Sequence, residues 1–323
     1  MIRVLPAVAI AALAAVSPIS AQPIKTQRFE IVSTPDRIDD TTQATYLQFQ
    51  PDPYDRMTVP VQVAGQGPYR FLVDTGADRT AISRQLATAL RLSHSETATM
   101  HTVTGVSEVR TASIPLLAIA AKQVRNVEAP LLEATNIGAD GILGLDSLHS
   151  QRILFDFKKQ RLTIVPSSIP GPELRDSIIV TGKIRNGRLI IARAKANHRK
   201  LTVVVDTGAQ VSVGNEALRR TLIRASKGSE AVELQSVTGD KIPGQYVIIR
   251  ELEVGGVTLR DLPIVFADSR LFTRMGLEER PALLLGMNAL RGFDKVSIDF
   301  AKKKMRVVLP EEGSLDRTAF ASL

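Results

Sequence analysis

Two stretches place an acidic side chain where acids do chemistry. Phe71–Ser83 reads FLVDTGADRTAIS, and Val203–Gly214 reads VVVDTGAQVSVG. In each, a run of β-formers ends in Asp-Thr-Gly-Ala, which predicts a buried strand breaking into a sharp turn. An acid at the end of a buried strand is costly unless paired or hydrogen-bonded. Two of them in one chain predict a pair, Asp74 and Asp206. Brought within hydrogen-bond reach, the two carboxyls cannot both ionise readily, so they share a proton and titrate in two separated steps. The ionised member then takes a proton from water while the protonated member donates to a carbonyl oxygen. That is general acid–base hydrolysis of an amide, with neither metal nor covalent intermediate. Gly76 and Gly208 leave room for backbone N–H groups to approach the carboxylates. Thr75 and Thr207 are placed to hydrogen-bond across the axis between the acids. Thr80 and Ser212, each six residues after its Asp, read as hydroxyls that fix the loops.

The elements that must position this pair recur in order. Asp74 corresponds to Asp206, Val103-Thr104-Gly105 to Val237-Thr238-Gly239, and Val124–Val127 to Leu259–Leu262. Further on, Leu143-Gly144 corresponds to Leu285-Gly286, and Asp156-Phe157 to Asp299-Phe300. A nearly constant offset means duplicated structure, and its lengthening after Leu262 places an insertion within Ala267–Pro281, with some helix at Ser269–Met275. Each repeat is built of short β runs and turn signals, as in Val59, Val61 and Val63 before Gly65–Pro68 and in the Ile153–Val165 hairpin turning at Lys158–Gln160. Helix is confined to short pieces such as Arg84–Leu90, capped by Ser83. The expectation is an all-β protein of two homologous barrel lobes related by a pseudo-two-fold axis. The lobes are drawn at 58–166 and 178–309, with a Pro/Ser-rich linker at 167–177 and a polar tail at 310–323. Residues 22–57 form an N-terminal extension readable as linker, pro-segment or peripheral strand.

Composition closes off other chemistries. The chain of 323 residues contains no cysteine, which removes disulfides, thiolate nucleophiles and Cys-ligated metal. Its four histidines show no metal-ligand spacing, there is no HExxH, and no GxSxG elbow supports serine catalysis. No cofactor or metal is implied. The net charge of +8 is scattered, tryptophan is absent and Tyr and Phe are few, so no platform for nucleic acid is present. Met1–Ala21 reads as an export signal, with Arg3, the apolar stretch Val4–Val16, and a cut after Ala21. That apolar stretch is shorter than the ~20 residues of a spanning helix. The mature protein is therefore expected to be exported, periplasmic or secreted, with no stable membrane insertion. Asp156 and Asp299 read as strand-end or turn residues.

With these residues in view, the chain resembles the pepsin/retropepsin superfamily of aspartic peptidases, particularly bacterial periplasmic retropepsin-like proteins, over roughly Thr58–Leu309. The resemblance lies in hydrophobic-Asp-Thr-Gly-Ala followed at matched distance by Ile142-Leu143-Gly144 and Leu284-Leu285-Gly286. Gly255–Pro263 is similar to a strand pair of bacterial relatives. It implies that Asp74 and Asp206 are the catalytic dyad, with Thr75 and Thr207 interlocking beneath it and Gly76 and Gly208 supporting it. It also implies two flaps, tipped by Val103–Val106 and Val237–Asp240, closing over an extended peptide. Substrate contacts are expected from Ala77, Asp78, Ala209, Gln210, Thr104, Gly105, Thr238 and Gly239. Ala77 and Ala209 stand where pepsins carry a hydroxyl, which favours a dyad working at mildly acidic to neutral pH. Asp78 lacks the family's usual arginine partner, because Leu145 follows Gly144 and Met287 follows Gly286. Gln210 at the equivalent site makes the cleft asymmetric. The expected activity is that of a monomeric aspartic endopeptidase acting on exported or envelope proteins. The alternative is a peptide-binding scaffold of the same fold that does not cut.

Overall fold

The computed structural model describes residues 45–48, 50–51, 57–119, 122–148, 150–169, 174, 177–185, 188–222 and 230–310. Export signal, most of the linker and nearly all of the tail lie outside the described residues. Among those described, the chain is mostly strand with six short helices.

Alternation drives the first strand, Met57–Val63, whose Val59, Val61 and Val63 are buried on one face. Phe71–Val73, at the end of the strand Gln66–Val73, is buried on both faces and pairs in parallel with Gly141–Leu143. The first eight-stranded sheet continues through Ala81–Ser83, Lys122–Leu132, Val106–Ile119 and His94–His101. It closes on itself where Gln62 and Val63 pair with Ala118 and Leu117. Closure leaves few unpaired strand edges.

The second sheet repeats the order. Arg188–Ala196, Arg199–Val205, Ala282–Leu285, Ser212–Gly214, Val257–Phe266, Lys241–Val254 and Glu230–Gln235 follow one another, and Ala194–Ala196 close the barrel against Leu252–Val254. Every pairing of the first barrel, parallel ones included, has its counterpart in the second. The fold is thus the expected all-β pair of retropepsin-like lobes.

The closing hairpins do something their sequences do not announce. Gln151–Asp156 and Lys295–Asp299 leave their barrels and pair antiparallel with each other, at the centre of a six-stranded sheet that takes strands from both halves. Ile153, Phe155, Val296 and Ile298 are fully buried there, in a core cluster continuous with both barrels. Within the N-terminal extension, Thr45–Gln48 forms an edge strand of this sheet, and Gln50–Pro51 pairs with Met57–Thr58. These residues take the peripheral-strand option. Asp156 and Asp299 accept from the N–H groups of Lys159 and Lys302, both at 2.9 Å, and so end their strands.

The predicted short helices form at Arg84–Ala89, where Ser83 Oγ accepts from Leu86 N at 3.1 Å, and at Arg270–Arg274, capped by Ser269. The latter lies in the inserted segment. No helix among the described residues is long and apolar enough to cross a membrane.

Candidate active site

Both acids sit at the ends of parallel-paired strands in the middle of their barrels. Asp74 N donates to Leu143 O at 3.1 Å, and Asp206 N to Leu285 O at 3.0 Å. Just beyond each carbonyl acceptor the chain crosses behind the Asp-Thr-Gly loop, passing so close that a Cβ at Gly144 or Gly286 would overlap backbone of Arg79–Thr80 or Ala209–Val211. This is why the hydrophobic-hydrophobic-Gly element accompanies each acid. The loops are then pinned by the hydroxyls expected to do so. Thr80 Oγ1 donates to Asp146 Oδ1 at 2.7 Å and accepts from Gly144 N at 3.2 Å, and Ser212 Oγ donates to Asn288 Oδ1 at 2.8 Å and accepts from Gly286 N at 3.0 Å. Asp146 and Asn288 were not picked out from sequence, although each stands two places after its glycine in both repeats.

The two loops meet through their threonines. Thr75 N donates to Thr207 Oγ1 and Thr207 N to Thr75 Oγ1, both at 3.0 Å. The hydroxyls donate onward to Val205 O and Val73 O of the opposite lobe, at 3.1 and 2.7 Å. Both threonines are buried, so four backbone groups that water cannot reach are satisfied by two side chains.

Above this lattice each carboxyl accepts from its own loop. Gly76 N and Ala77 N donate to Asp74 Oδ1 at 2.7 and 3.0 Å, and Gly208 N and Ala209 N donate to Asp206 Oδ1 at 3.0 and 3.2 Å. The glycines matter for a further reason: an ideal Cβ on Gly76 would overlap the Asp206 carboxyl, and one on Gly208 the Asp74 carboxyl. Each glycine makes room for the other lobe's acid. The two carboxyls thus meet at the lobe junction, each against the other lobe's loop, where the charge of one resists ionisation of the other. Burial is the main cause that pushes Asp74 up to about 7, with the Asp206 charge second and the Gly76 and Ala77 N–H groups opposing. Burial likewise raises Asp206, opposed first by the Arg188 guanidinium.

Arg188 is the residue that sequence reading missed. It starts the first long strand of the second barrel, is buried, and reaches 112 residues back to donate through Nε to Gly76 O at 3.1 Å and through Nη2 to the same oxygen. Its remaining arm pairs with Asp78 Oδ1 at 2.7 Å, while Arg274, from the inserted helix, reaches Asp78 Oδ2 at 3.1 Å. The arginine expected after Gly144 is thus replaced by two from the other lobe. Asp78, expected to contact substrate, has both oxygens engaged in joining the lobes. The signal was present only as an Arg at the start of a strand.

A cavity of about 200 Å³ lies over the acids, walled in part by Ala77, Ala209 and Gln210 of the loops. Two hairpins cover it, with their Thr-Gly turns where predicted. The covering residues, however, are His101, Thr102 and Val103 on one side and Gln235, Ser236 and Val237 on the other. Thr104 and Gly105 sit farther out, bordering a separate depression with Asp240 and Arg270. The Thr104 and Thr238 hydroxyls are turned to Thr102 and Ser236, at 2.9 and 2.7 Å. Gly239, at φ +91°, closes the second turn against Asn136. The hairpin tips touch where Ser107 Oγ donates to Asp240 Oδ2 at 3.1 Å.

Residues 59–150 match the family described as "gag-polyprotein putative aspartyl protease", and residues 192–289 match the family described as "Aspartyl protease". A search of curated proteins found no match. Each matched stretch contains one Asp-Thr-Gly loop and the glycine strand behind it, one set per barrel. The chain belongs to the retropepsin-like aspartyl protease family, with two lobes in one polypeptide.

Proposed function

We propose that the protein is an aspartic endopeptidase in which Asp74 and Asp206 activate a water against a peptide bond. The observation that carries this reading is the pair of carboxyls brought together from the two lobes, seated on the threonine lattice with each acid accommodated by the opposite glycine. The ionised carboxyl takes a proton from the water, and the protonated one donates to the peptide carbonyl oxygen as the tetrahedral centre forms. The proton held up to about pH 7 supplies the acid at neutral pH without a metal in the scheme. Ala77 and Ala209 contribute only their N–H groups to the carboxyls, so no side-chain hydroxyl steadies the charged form. A substrate enters as an extended strand beneath the two hairpins, held by its backbone and selected by pockets. The signal-like Met1–Ala21 supports action in the periplasm or outside the cell, on exported or envelope proteins, by a monomer whose two lobes replace a dimer.

The test is cleavage of a peptide library by the wild type, Asp74→Asn and Asp206→Asn, across pH 3 to 8. Either substitution should lower kcat by ~10²–10⁴-fold, and wild-type activity should peak at mildly acidic to neutral pH. Cleavage that survives either change refutes the dyad, and a sharp optimum below about pH 3 refutes the tuning. Peptide binding without cleavage would assign the scaffold role instead.

A further inference from the structure

The two barrels match strand for strand, yet the connectors that lead into their glycine strands do not. In the first lobe, residues 133–140 join Lys122–Leu132 to Gly141–Leu143 and carry the helix Ala134–Ile137. In the second, residues 267–281 join Val257–Phe266 to Ala282–Leu285 and carry the helix Arg270–Arg274. Both reach the cavity over the acids, but with different chemistry: Thr135 and Asn136 from the short connector, Leu271 from the long one.

Around Leu271 the second-lobe wall is mainly apolar, with Gln210, Gln235 and Ser236 at its loop and hairpin margins, whereas the first lobe's apolar contributions beyond its loop come from its hairpin, at Met100 and Val103. Val211, Val213 and Leu234 face the same cavity. The counterparts of Val211 and Val213 in the first lobe are an exposed Arg79 and the smaller Ala81. The long connector is also rigidly seated. Phe272, Met275 and Leu277 are buried in the second barrel's outer cluster, and buried Asn215 donates through Nδ2 to Leu277 O and Arg280 O at 2.8 and 2.7 Å. Arg274, one turn from Leu271, is tied to Asp78 of the other lobe. Leu271 is therefore held at a fixed place in the wall, which a specificity contact requires.

In an extended chain successive side chains point to opposite faces, so the two residues flanking a scissile bond meet different walls. We infer that the connectors give the cleft opposite preferences: the Leu271 wall takes a large aliphatic or aromatic side chain beside the scissile bond, and the Thr135–Asn136 wall takes a small or polar one. This rests on the endopeptidase reading and adds to it a substrate class and a specificity-determining residue. A hydrophobic wall discriminates by roughly 10–200-fold per missing group. An apolar wall cannot satisfy the polar atoms of Ser or Asn, while Thr135 and Asn136 can.

The experiment maps cleavage sites in a random peptide library with the wild type, Leu271→Ala and Thr135→Leu, each checked for folding by thermal melting. In the wild type one flanking position should favour Leu or Phe over Ser by about tenfold or more, and the other should not. Leu271→Ala should reduce that preference about tenfold and leave the other position unmoved. Thr135→Leu should create an apolar preference at the other position, and it tests the same inference even if Leu271→Ala does not fold. Equal preferences at both positions in the wild type, or a Thr135→Leu profile superimposable on it, overturn the inference while the endopeptidase reading stands. Absence of wild-type cleavage, or cleavage that persists in Asp74→Asn, overturns the endopeptidase reading itself and the inference with it.

Discussion

Replacing Asp74 by Asn separates the electrostatics of the acid pair from its chemistry. Asn keeps the shape and an oxygen able to accept from Gly76 and Ala77 N–H, but it cannot ionise. In the wild type the folded protein holds the Asp74 proton up to about pH 7, whereas the unfolded chain loses it near 3.8. Below pH 3.8 both states are protonated and the site carries no penalty. Between those values the folded state binds the additional proton, so stability falls as pH rises and the loss is complete above about 7. Across that interval, at ~1.4 kcal/mol per pH unit, the loss amounts to roughly 4 kcal/mol. This is an upper figure, because the pair shares its titration and part of the change belongs to Asp206. Urea unfolding of the two proteins at pH 4, 5, 6, 7 and 7.5 measures it. Asp74→Asn should be close to the wild type in stability at pH 4 and more stable by up to roughly 4 kcal/mol at pH 7.5. Taking the difference between the proteins cancels the carboxylates elsewhere on the molecule, such as the ion-paired Glu133 and Glu253, that titrate alike in both. A gap that stays constant within about 0.5 kcal/mol over this range would refute the claim that the folded protein raises the titration of this acid.

Two other substitutions probe the supports of the site. Thr75→Val preserves shape but strands Thr207 N–H and Val205 C=O in a buried setting; at about 1–3 kcal/mol per unsatisfied group, stability should drop by about 2–6 kcal/mol and activity with it. Thr75→Ser should restore both, and equal urea midpoints for Val and Thr would remove the lattice from the account. Arg188→Lys leaves one ammonium to serve both Gly76 O and Asp78, a geometry only the guanidinium fork fits. We expect a loss of about 1–3 kcal/mol, below that of a fully buried pair because the Asp78 side chain is 34% exposed. Arg274→Ala, at a side chain 42% exposed, should cost under about 1 kcal/mol; equal melting shifts for the two would show that Arg188 is not the principal link.

The duplicated Asp-Thr-Gly-Ala, the matched glycine strands and the constant offset were legible in the chain because each is local: β-formers, a turn glycine and a polar side chain within a dozen residues. So were the barrel lobes, the short capped helices and the position of the insertion. The loop hydroxyls Thr80 and Ser212 could be assigned their role from spacing, since a hydroxyl six residues after the acid falls beneath the same turn. The hairpin turns were placed correctly, but their hydroxyls bond within the turn, and the residues just before Thr104 and Thr238 face the cavity instead.

What the sequence by itself determined is therefore the pair of acids and the repeated frame that presents them. Tertiary structure alone decided how the frames are joined. The central pairing of Gln151–Asp156 with Lys295–Asp299 is between strands whose patterns fit a lobe edge equally well, and only their meeting identifies them as an interface. The necessity of Gly76 comes from the Asp206 carboxyl, which no turn rule brings to it. The arginine that pairs with Asp78 is invisible to spacing, which looks only along the chain. Arg188 supplies it from 110 residues away across the lobe junction, since charge pairing depends on distance in space and carries no periodicity that a sequence can display.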